Sequence, residues 1–223
     1  MIAPVACIVP ALDAERTLPG VAARLRTAVP HATLIAVDDG SVDGTRAVAA
    51  RACDIVLAFE HNRGKGAALR AGFAEALRLG MSAVLTIDAD GQHAPEDAPR
   101  LLAALAGADL AIGARTRSGA MPLGRRLTNA LATAAVGAVV GGAVADAQSG
   151  YRAMRRAVLE RVRARGDRYE FETDFLIRAG HAGFRIAAVP IPTVYGARSH
   201  FRGFRDSVRV VRTIWRYRAG AFQ

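Results

Sequence analysis

Short runs of β-branched and other apolar residues alternate with helical patterns through the first half of the chain, and few folds accommodate this alternation. It is typical of βαβ units, in which the strands of one sheet run parallel. Between residues 65 and 79, for example, Leu69, Phe73 and Leu77 recur every fourth position and give a helix one apolar face. The sequence therefore predicts an α/β fold with a mostly parallel central sheet flanked by helices. The predicted strands are residues 5–9, 34–37, 55–59, 84–87 and 110–112, and the predicted helices are 17–29, 44–52, 65–79 and 96–106.

The pattern is less regular after Gly113, where we predict helices at 155–163 and 174–182 and a strand at 184–189. The longest uncharged stretch, residues 127–145, is mostly Ala and Gly. It is too weakly apolar for a membrane span, so we expect a closely packed or membrane-grazing helix there.

A cluster of polar residues follows each of the first four predicted strands. Ligands of open parallel sheets bind beyond the carboxyl ends of the strands, so these clusters should meet at one edge. Neighbouring carboxyl groups within a cluster would repel each other unless a cation, a sugar or a base edge lies between them. In strand order the clusters contain Pro10, Asp13 and Glu15; Asp38, Asp39 and Ser41; Asn62, Gly64, Lys65 and Gly66; and Asp88, Asp90, Gln92 and His93.

Asp88 and Asp90 form the strongest candidate metal site. If the strand continues through them, their side chains point the same way. Two carboxylates suit Mg²⁺ or Mn²⁺, with a substrate diphosphate completing the coordination shell. His93, three residues after Asp90, either contacts this site or caps the loop before Pro95.

The segment Asn62-Arg-Gly-Lys-Gly66 opens a helix, and its glycines allow backbone N–H groups to approach an anion. It lacks the pattern of a nucleotide P-loop, and the dinucleotide fingerprint is broken at Leu69. Lys65, the only lysine of the chain, is either a substrate ligand or a solvated loop cation.

Four motifs in this order resemble the family 2 glycosyltransferases with the GT-A fold, and within them the branch that transfers sugars to dolichyl or polyprenyl phosphates. The resemblance runs from Val5 to about Asp206. The usual Asn-Glu pair after the first strand is replaced by Asp13-Ala14, and an acidic residue is replaced by Ala188. The motifs are VDDGSVDGT at 37–45, NRGKGA at 62–67 with Gly72, DADGQH at 88–93 and DAQSGYR at 146–152.

This resemblance implies a Rossmann-like GT-A domain over residues 1–203 that binds a nucleotide-sugar with Mg²⁺ or Mn²⁺. Its nucleotide-sugar-binding half would be 1–113 and its acceptor-side half 114–203, followed by an amphipathic basic helix at 204–223. The implied catalytic residues are Asp146, Arg115 and Arg126, and the implied metal ligands are Asp88, Asp90 and Gln92; the implied substrate-binding residues are Pro10, Asp13, Glu15, Asp38, Asp39, Lys65, Gly66, Asp88, Gln92, Arg125 and Ser149.

The net charge of the chain and its two cysteines indicate where in the cell such a protein would act. The formal net charge is +10, and four arginines of the predicted C-terminal helix lie in one stripe beside an apolar flank, as in helices that lie on a membrane. The alternative is a helix packed on the domain, with Trp215 in the core. No signal peptide is recognisable, and Cys7 and Cys53 lie in apolar runs. We therefore expect a cytoplasmic protein, peripheral to the inner face of the membrane.

Two acceptor classes remain open. A hydroxyl acceptor needs a general base, for which Asp146 is the candidate, whereas a lipid phosphate is already anionic and needs arginines to aim it. In either case a single displacement at the anomeric carbon inverts its configuration. A basic binding module without catalysis is a third possibility. The acidic clusters at the binding edge and an aromatic content of only 6% argue against nucleic acid as its partner.

Overall fold

A seven-stranded sheet organises the part of the chain that the computed structural model describes, namely residues 3–115, 133, 134, 136–138, 146–168 and 170–192. The strand order is β3-β2-β1-β4-β6-β5-β7. Strand β6 is antiparallel to both of its neighbours, and the other neighbouring strands are parallel. The strands are β1 (Val5–Ala11), β2 (Thr33–Asp38), β3 (Ile55–Ala58), β4 (Ala83–Thr86), β5 (Leu110–Arg115), β6 (Arg152–Arg155) and β7 (Ile186–Ile191).

Helices cover both faces of this sheet. Every residue of β1 is buried, because Ala6 and Ile8 pack into one apolar cluster while Cys7 and Val9 pack into the other. This explains why β1 is a continuous apolar run and does not alternate with polar residues. The helices are α1 (Leu18–Ala28), α2 (Thr45–Ala52), α3 (Lys65–Arg78), α4 (Ala98–Ala104, preceded by a 3₁₀ turn at Pro95–Asp97), α5 (Arg156–Arg161) and α6 (Glu170–His181).

Helix α3 packs directly on β1 because Gly72 has no side chain. A β-carbon at this position would lie 2.6 Å from Cγ2 of Ile8, closer than two carbon atoms can approach. The glycine therefore sets the separation of the helix from the sheet, and with it the position of Lys65 at the first turn of the same helix.

The predicted α/β fold with a mostly parallel sheet is confirmed, but one strand was missed. Residues 152–155 read Arg-Ala-Met-Arg, which has no β-branched residue, and the helix predicted at 155–163 covers only Arg156–Arg161. The helix predicted from residue 174 begins at Glu170, because Phe171 extends the buried face of Phe175 by one turn. The predicted C-terminal helix, including Trp215, and most of the uncharged stretch 127–145 lie outside the described residues.

Cys7 and Cys53 are buried free thiols, in agreement with their interpretation as small core residues. Burial raises the pKa of Cys7 to about 12 and that of Cys53 to about 11, so both stay protonated near neutral pH. Within the described residues, no helix combines the length and the hydropathy that crossing a bilayer requires.

Candidate active site

The polar segments after β1 and β2 are joined by hydrogen bonds, as their convergence at one sheet edge predicts. The amide of Asp13 donates to Oγ of Ser41 at 2.9 Å, and the amide of Val42 donates to Oδ1 of Asp13 at 3.0 Å. Asp13 has a φ of +47°, a conformation that Asp and Asn tolerate better than most residues. This turn is where Asp13-Ala14 replaces the family's usual pair, and the amide of Ala14 donates to Oγ1 of Thr45 at 2.7 Å.

Asp39 holds the loop that precedes α3. Its carboxylate accepts the amides of Arg63 and Gly64 at 2.8 and 2.9 Å and the side-chain amide of Asn62 at 3.2 Å. Burial raises the pKa of Asp39 above its ordinary value, although the N–H groups of Arg63 and Gly64 act to lower it. Gly64 has a φ of +104°, so a side chain there would be strained. The buried carboxylate of Asp39 therefore fixes the start of α3, where Lys65 follows.

Lys65 joins two carboxylates from different parts of the chain. Its Nζ lies 2.7 Å from Oδ1 of Asp88 and 3.1 Å from Oε1 of Glu172. Side-chain exposures are 15% for Lys65, 25% for Asp88 and 7% for Glu172, so this ion cluster is largely screened from water. Burial raises the pKa of Asp88, but the charge and hydrogen bond of Lys65, together with the charge of Arg115, lower it more, and the net pKa is below the ordinary value.

Gly150 is the close neighbour of this ion cluster. A β-carbon at Gly150 would lie 2.6 Å from Nζ of Lys65, 2.8 Å from Oδ2 of Asp88 and 3.0 Å from Oε1 of Glu172. Only glycine leaves the three charged groups in place. Position 150 of the fourth motif therefore has a packing role in the cluster.

The chain turns after Asp88 and does not stay extended. Strand β4 ends at Thr86, residues 89 and 90 form a turn, and Gly91 has a φ of +74°. The amide of Gln92 donates to Oδ1 of Asp90 at 3.0 Å. The premise that alternation along a strand aligns the two aspartates is therefore wrong, because the turn sets the direction of Asp90.

Arg115 and Asp146 form a bidentate pair at the end of β5. Nε of Arg115 lies 2.6 Å from Oδ2 of Asp146, and the Nη2 group of Arg115 donates to Oδ1 at 2.7 Å. The amide of Arg115 also donates to Oδ2 at 3.2 Å. Asp146 is buried and has a φ of +51°, and its carbonyl accepts the amide of Ser149 at 3.0 Å. Both oxygens of this carboxylate are therefore engaged by one arginine.

Arg152 is a buried residue to which sequence reasoning gave no role. Its guanidinium donates to the backbone carbonyls of Ser149, Glu172 and Ala147 at 2.8, 2.9 and 3.0 Å. Burial lowers the pKa of Arg152, and the carboxylates of Glu172, Asp146 and Asp88 oppose that shift. Arg152 thus joins the segment after Asp146 to the first turn of α6, which carries Glu172.

His93 is buried beside Tyr151, with ring centroids 5.4 Å apart, and its Nδ1 atom has no hydrogen-bond partner in the part of the chain that the structure describes. Burial lowers its pKa to about 4, so the imidazole is neutral near neutral pH.

The remaining predicted site residues are placed as follows. Pro10 is buried near the end of β1, and the amide of Gly44 donates to Oε2 of Glu15 at 3.2 Å. Asp38 accepts the amide of Ser41 at 3.0 Å. Gly66 lies against Phe171, and Ser149 is buried. Arg125 and Arg126 lie outside the described residues.

A divalent cation fits this edge chemically. Asp88, Asp90 and Gln92 offer carboxylate and amide oxygens, and among the described residues nothing lies within 4 Å of where a β-carbon of Gly91 would be. Within the described residues no three His, Cys, Asp or Glu side chains gather into a metal site.

Comparison with known proteins identifies the class. Residues 6–163 match the family described as glycosyl transferase family 2. Polyprenol monophosphomannose synthase of Mycolicibacterium smegmatis is 38% identical over 200 residues, covering 82% of this chain and 75% of the relative. Undecaprenyl-phosphate mannosyltransferase of Micrococcus luteus is 36% identical over 201 residues, covering 84% and 82%.

Among solved structures, glucosyl-3-phosphoglycerate synthase from Mycobacterium tuberculosis, in complex with Mn²⁺, UDP and glucosyl-3-phosphoglycerate, has a TM-score of 0.77. It is 25% identical, and the match covers 96% of this chain and 79% of that one. The fold is GT-A-like. The chain belongs to glycosyl transferase family 2, and it is a glycosyltransferase.

Proposed function

We propose that this enzyme transfers a sugar from a nucleotide-sugar, with UDP or GDP as the leaving group, to a polyprenyl or dolichyl phosphate, with inversion at the anomeric carbon. Two relatives, a polyprenol monophosphomannose synthase and an undecaprenyl-phosphate mannosyltransferase, have names that support this acceptor class. Mannose is the sugar that those names favour. The transfer would occur at the cytoplasmic face of the membrane.

The observation that carries the proposal is the pairing of Asp146 with Arg115. A general base must accept a proton from the acceptor, yet both oxygens of Asp146 face the guanidinium of Arg115. The same arrangement fixes the arginine, which suits the binding of an acceptor that is already an anion. A phosphate oxygen can attack the anomeric carbon without losing a proton, so this geometry favours a phosphate over a hydroxyl acceptor.

Residues of three parts of the site would have different roles in the proposed reaction. Asp39 holds the loop before α3, so that Lys65 stays at the sheet edge near the departing diphosphate. Arg115, held by Asp146, would orient the acceptor phosphate for attack opposite the leaving group. Asp88, Asp90 and Gln92 would hold Mg²⁺ or Mn²⁺, which when bound would neutralise charge on the diphosphate.

The direct test is a panel of UDP-sugars and GDP-sugars with Mn²⁺ or Mg²⁺. Each donor is incubated with a polyprenyl phosphate and, as the matched control, with the polyprenol of equal length. We expect a lipid-linked sugar from the phosphate alone, and none when a chelator removes the metal. Transfer to the polyprenol or to another hydroxyl acceptor, with none to the phosphate, would overturn the proposed acceptor.

Asp146→Asn tests whether this residue orients Arg115 or acts as a base. The amide keeps one oxygen for Arg115, so we expect kcat to fall by about tenfold or less, whereas loss of a general base costs roughly 10²–10⁴-fold. The comparison uses kcat for the lipid phosphate at saturating donor. A decrease of a thousandfold in a folded variant would indicate base catalysis and a hydroxyl acceptor.

A further inference from the structure

The ion cluster of Lys65, Asp88 and Glu172 contains one more carboxylate than it has ammonium groups. Lys65 approaches both carboxylates, at 2.7 Å for Asp88 and 3.1 Å for Glu172. The two acidic residues come from opposite sides of the site, since Asp88 follows β4 and Glu172 lies in the first turn of α6. Lys65 can therefore lose one anionic partner and keep another.

In the proposed reaction, Asp88 would interact with two cations. In the structure it pairs with Lys65, and in the donor complex it would also bind the divalent cation. A dication on this carboxylate repels an ammonium a few ångströms away, which weakens the pair between Lys65 and Asp88. Without a second carboxylate, binding of the metal would drive the lysine out of the site.

Glu172 is held where it can retain the lysine. It is buried, and its backbone carbonyl accepts Nη1 of Arg152 at 2.9 Å. A methyl group at Gly150 would come within 3.0 Å of its Oε1 atom, so glycine at that position leaves the carboxylate beside Lys65.

We propose that Glu172 is a positioning residue, which keeps the ammonium of Lys65 in the site when Asp88 binds the divalent cation. This inference rests on the proposed function, because it takes Asp88 as a metal ligand during donor binding. Exchange of Lys65 from Asp88 to Glu172 opens the carboxylate to the metal and leaves the lysine charge next to the departing diphosphate.

The test measures Mn²⁺ binding, by calorimetry or by the electron paramagnetic resonance of free Mn²⁺, with no acceptor and with saturating UDP or GDP. The variants are Lys65→Gln, Glu172→Gln and the double variant. We expect Lys65→Gln to raise the Mn²⁺ affinity about tenfold, because Asp88 loses its competing cation. Glu172→Gln should lower it about tenfold, because Lys65 then stays on Asp88.

The double variant separates positioning from a general charge effect. In the Lys65→Gln background, Glu172→Gln should change the Mn²⁺ affinity by less than about threefold. Glu170→Gln is the matched control, since it removes the same charge two residues earlier on α6, where the carboxylate lies beside Gly166. It should leave the affinity within about twofold of that of the unmodified enzyme.

Equal effects of Glu172→Gln in both backgrounds would overturn the inference, and so would an unchanged or lowered affinity in Lys65→Gln. If Glu172→Gln does not fold, Glu172→Asp takes its place in both backgrounds, because the shorter side chain moves the carboxylate away from Lys65. Failure of the unmodified enzyme to bind Mn²⁺ with either nucleoside diphosphate would overturn the proposed metal dependence as well. Binding without coupling between the two residues would overturn this inference only.

Discussion

Gly150 shows how one missing side chain shapes the site at the scale of single residues. A β-carbon there would come within 2.6 Å of Nζ of Lys65 and 2.8 Å of Oδ2 of Asp88. Both atoms end flexible side chains, so an added methyl group displaces them and leaves the backbone intact. The consequence of such a change falls on chemistry more than on folding.

We expect Gly150→Ala to lower kcat by roughly tenfold to a hundredfold. A displacement of about one ångström in a group of the active site slows a reaction by that order. The free energy of unfolding, measured in urea, should fall by only about 1 kcal/mol. Gly107→Ala is the control, since a β-carbon at Gly107 meets nothing within 4 Å. Full activity in a folded Gly150→Ala variant would contradict the close packing described for the ion cluster.

The residues of the site could be predicted only in part. Asp88 and Asp90 stand out because they come at the end of an apolar run, and Lys65 stands out as the only lysine, between two glycines at a helix start. The convergence of the first two clusters is borne out by the contacts between Asp13 and Ser41. Glu172 and Arg152 gave no such signal, since their partners are remote in sequence or are backbone carbonyls. Both lie in segments that resemble the family, which was the available signal for them.

At the scale of elements, the contact between α3 and β1 depends on close packing and not on helix propensity. Gly72 is unfavourable in a helix, yet its missing β-carbon lets the helix lie against Ile8. The helix carries Lys65 at its first turn, so this packing also sets the height of the lysine above the sheet.

We expect Gly72→Ala to reduce the free energy of unfolding by about 1–3 kcal/mol, because a methyl group would overlap the buried side chain of Ile8. Gly20→Ala makes the same substitution in α1, where a β-carbon meets nothing within 4 Å, and it should stabilise the protein by about 0.5–1 kcal/mol. Denaturant unfolding of both variants measures the contrast. Equal stability of the two would contradict the close contact of α3 with β1.

Asp54 links three elements through its carboxylate. It lies 2.8 Å from Nη2 of Arg26 at the end of α1, and it accepts the amide of Leu34 in β2 at 2.8 Å. Burial would raise the pKa of Asp54, but these two donors lower it on balance below 3.8. A lowered pKa in the folded state means that the ionised group stabilises the fold above that value and loses the effect as the pH falls.

We therefore expect Asp54→Asn to be less stable than the unmodified protein near pH 7, by at most about 1 kcal/mol because the pair is partly exposed. The difference should shrink as the pH falls below about 4. Unfolding free energies measured between about pH 3 and pH 7 test this. A difference that grows on acidification would contradict the lowered pKa.

The elements that could be predicted are those with a regular apolar pattern. Strands β1 to β4 and helix α3 lie close to their predicted positions, because a buried parallel sheet needs continuous apolar runs. Strand β6 could not be predicted, since it brings Arg152 into the interior and satisfies it with backbone carbonyls. A pattern of hydropathy alone cannot anticipate such a buried arginine.

For the whole molecule, the excess of 30 Lys and Arg over 20 Asp and Glu favours anionic surfaces. The negative surface potential of a membrane attracts such a positively charged protein, and salt screens this attraction. The predicted C-terminal helix would concentrate it in one stripe.

We expect the full chain to bind vesicles that contain phosphatidylglycerol, and salt to weaken this binding. Changing the four arginines of the predicted stripe to glutamine should weaken binding by up to about a thousandfold, at about 1 kcal/mol for each charge near the surface. The matched control changes four exposed arginines of the described body, so both variants have the same net charge. An equal loss in both, measured by cosedimentation, would assign binding to net charge alone. The stripe is Arg205, Arg209, Arg212 and Arg216, and the control set is Arg46, Arg51, Arg78 and Arg185.

The place of β6 in the sheet has a consequence for synthesis of the protein. Strands β1 to β4 pair among themselves, so they can associate as soon as they have been translated. In the described sheet the neighbours of β5 are β6 and β7, and both are made later. Because unpaired strands gain little until distant partners arrive, a nascent chain would hold β1 to β4 in place well before Arg115 reaches its final position. Competence for sugar transfer would then depend on the late pairing of β6 with β4 and β5, which joins Arg115 to the part of the sheet that is already formed.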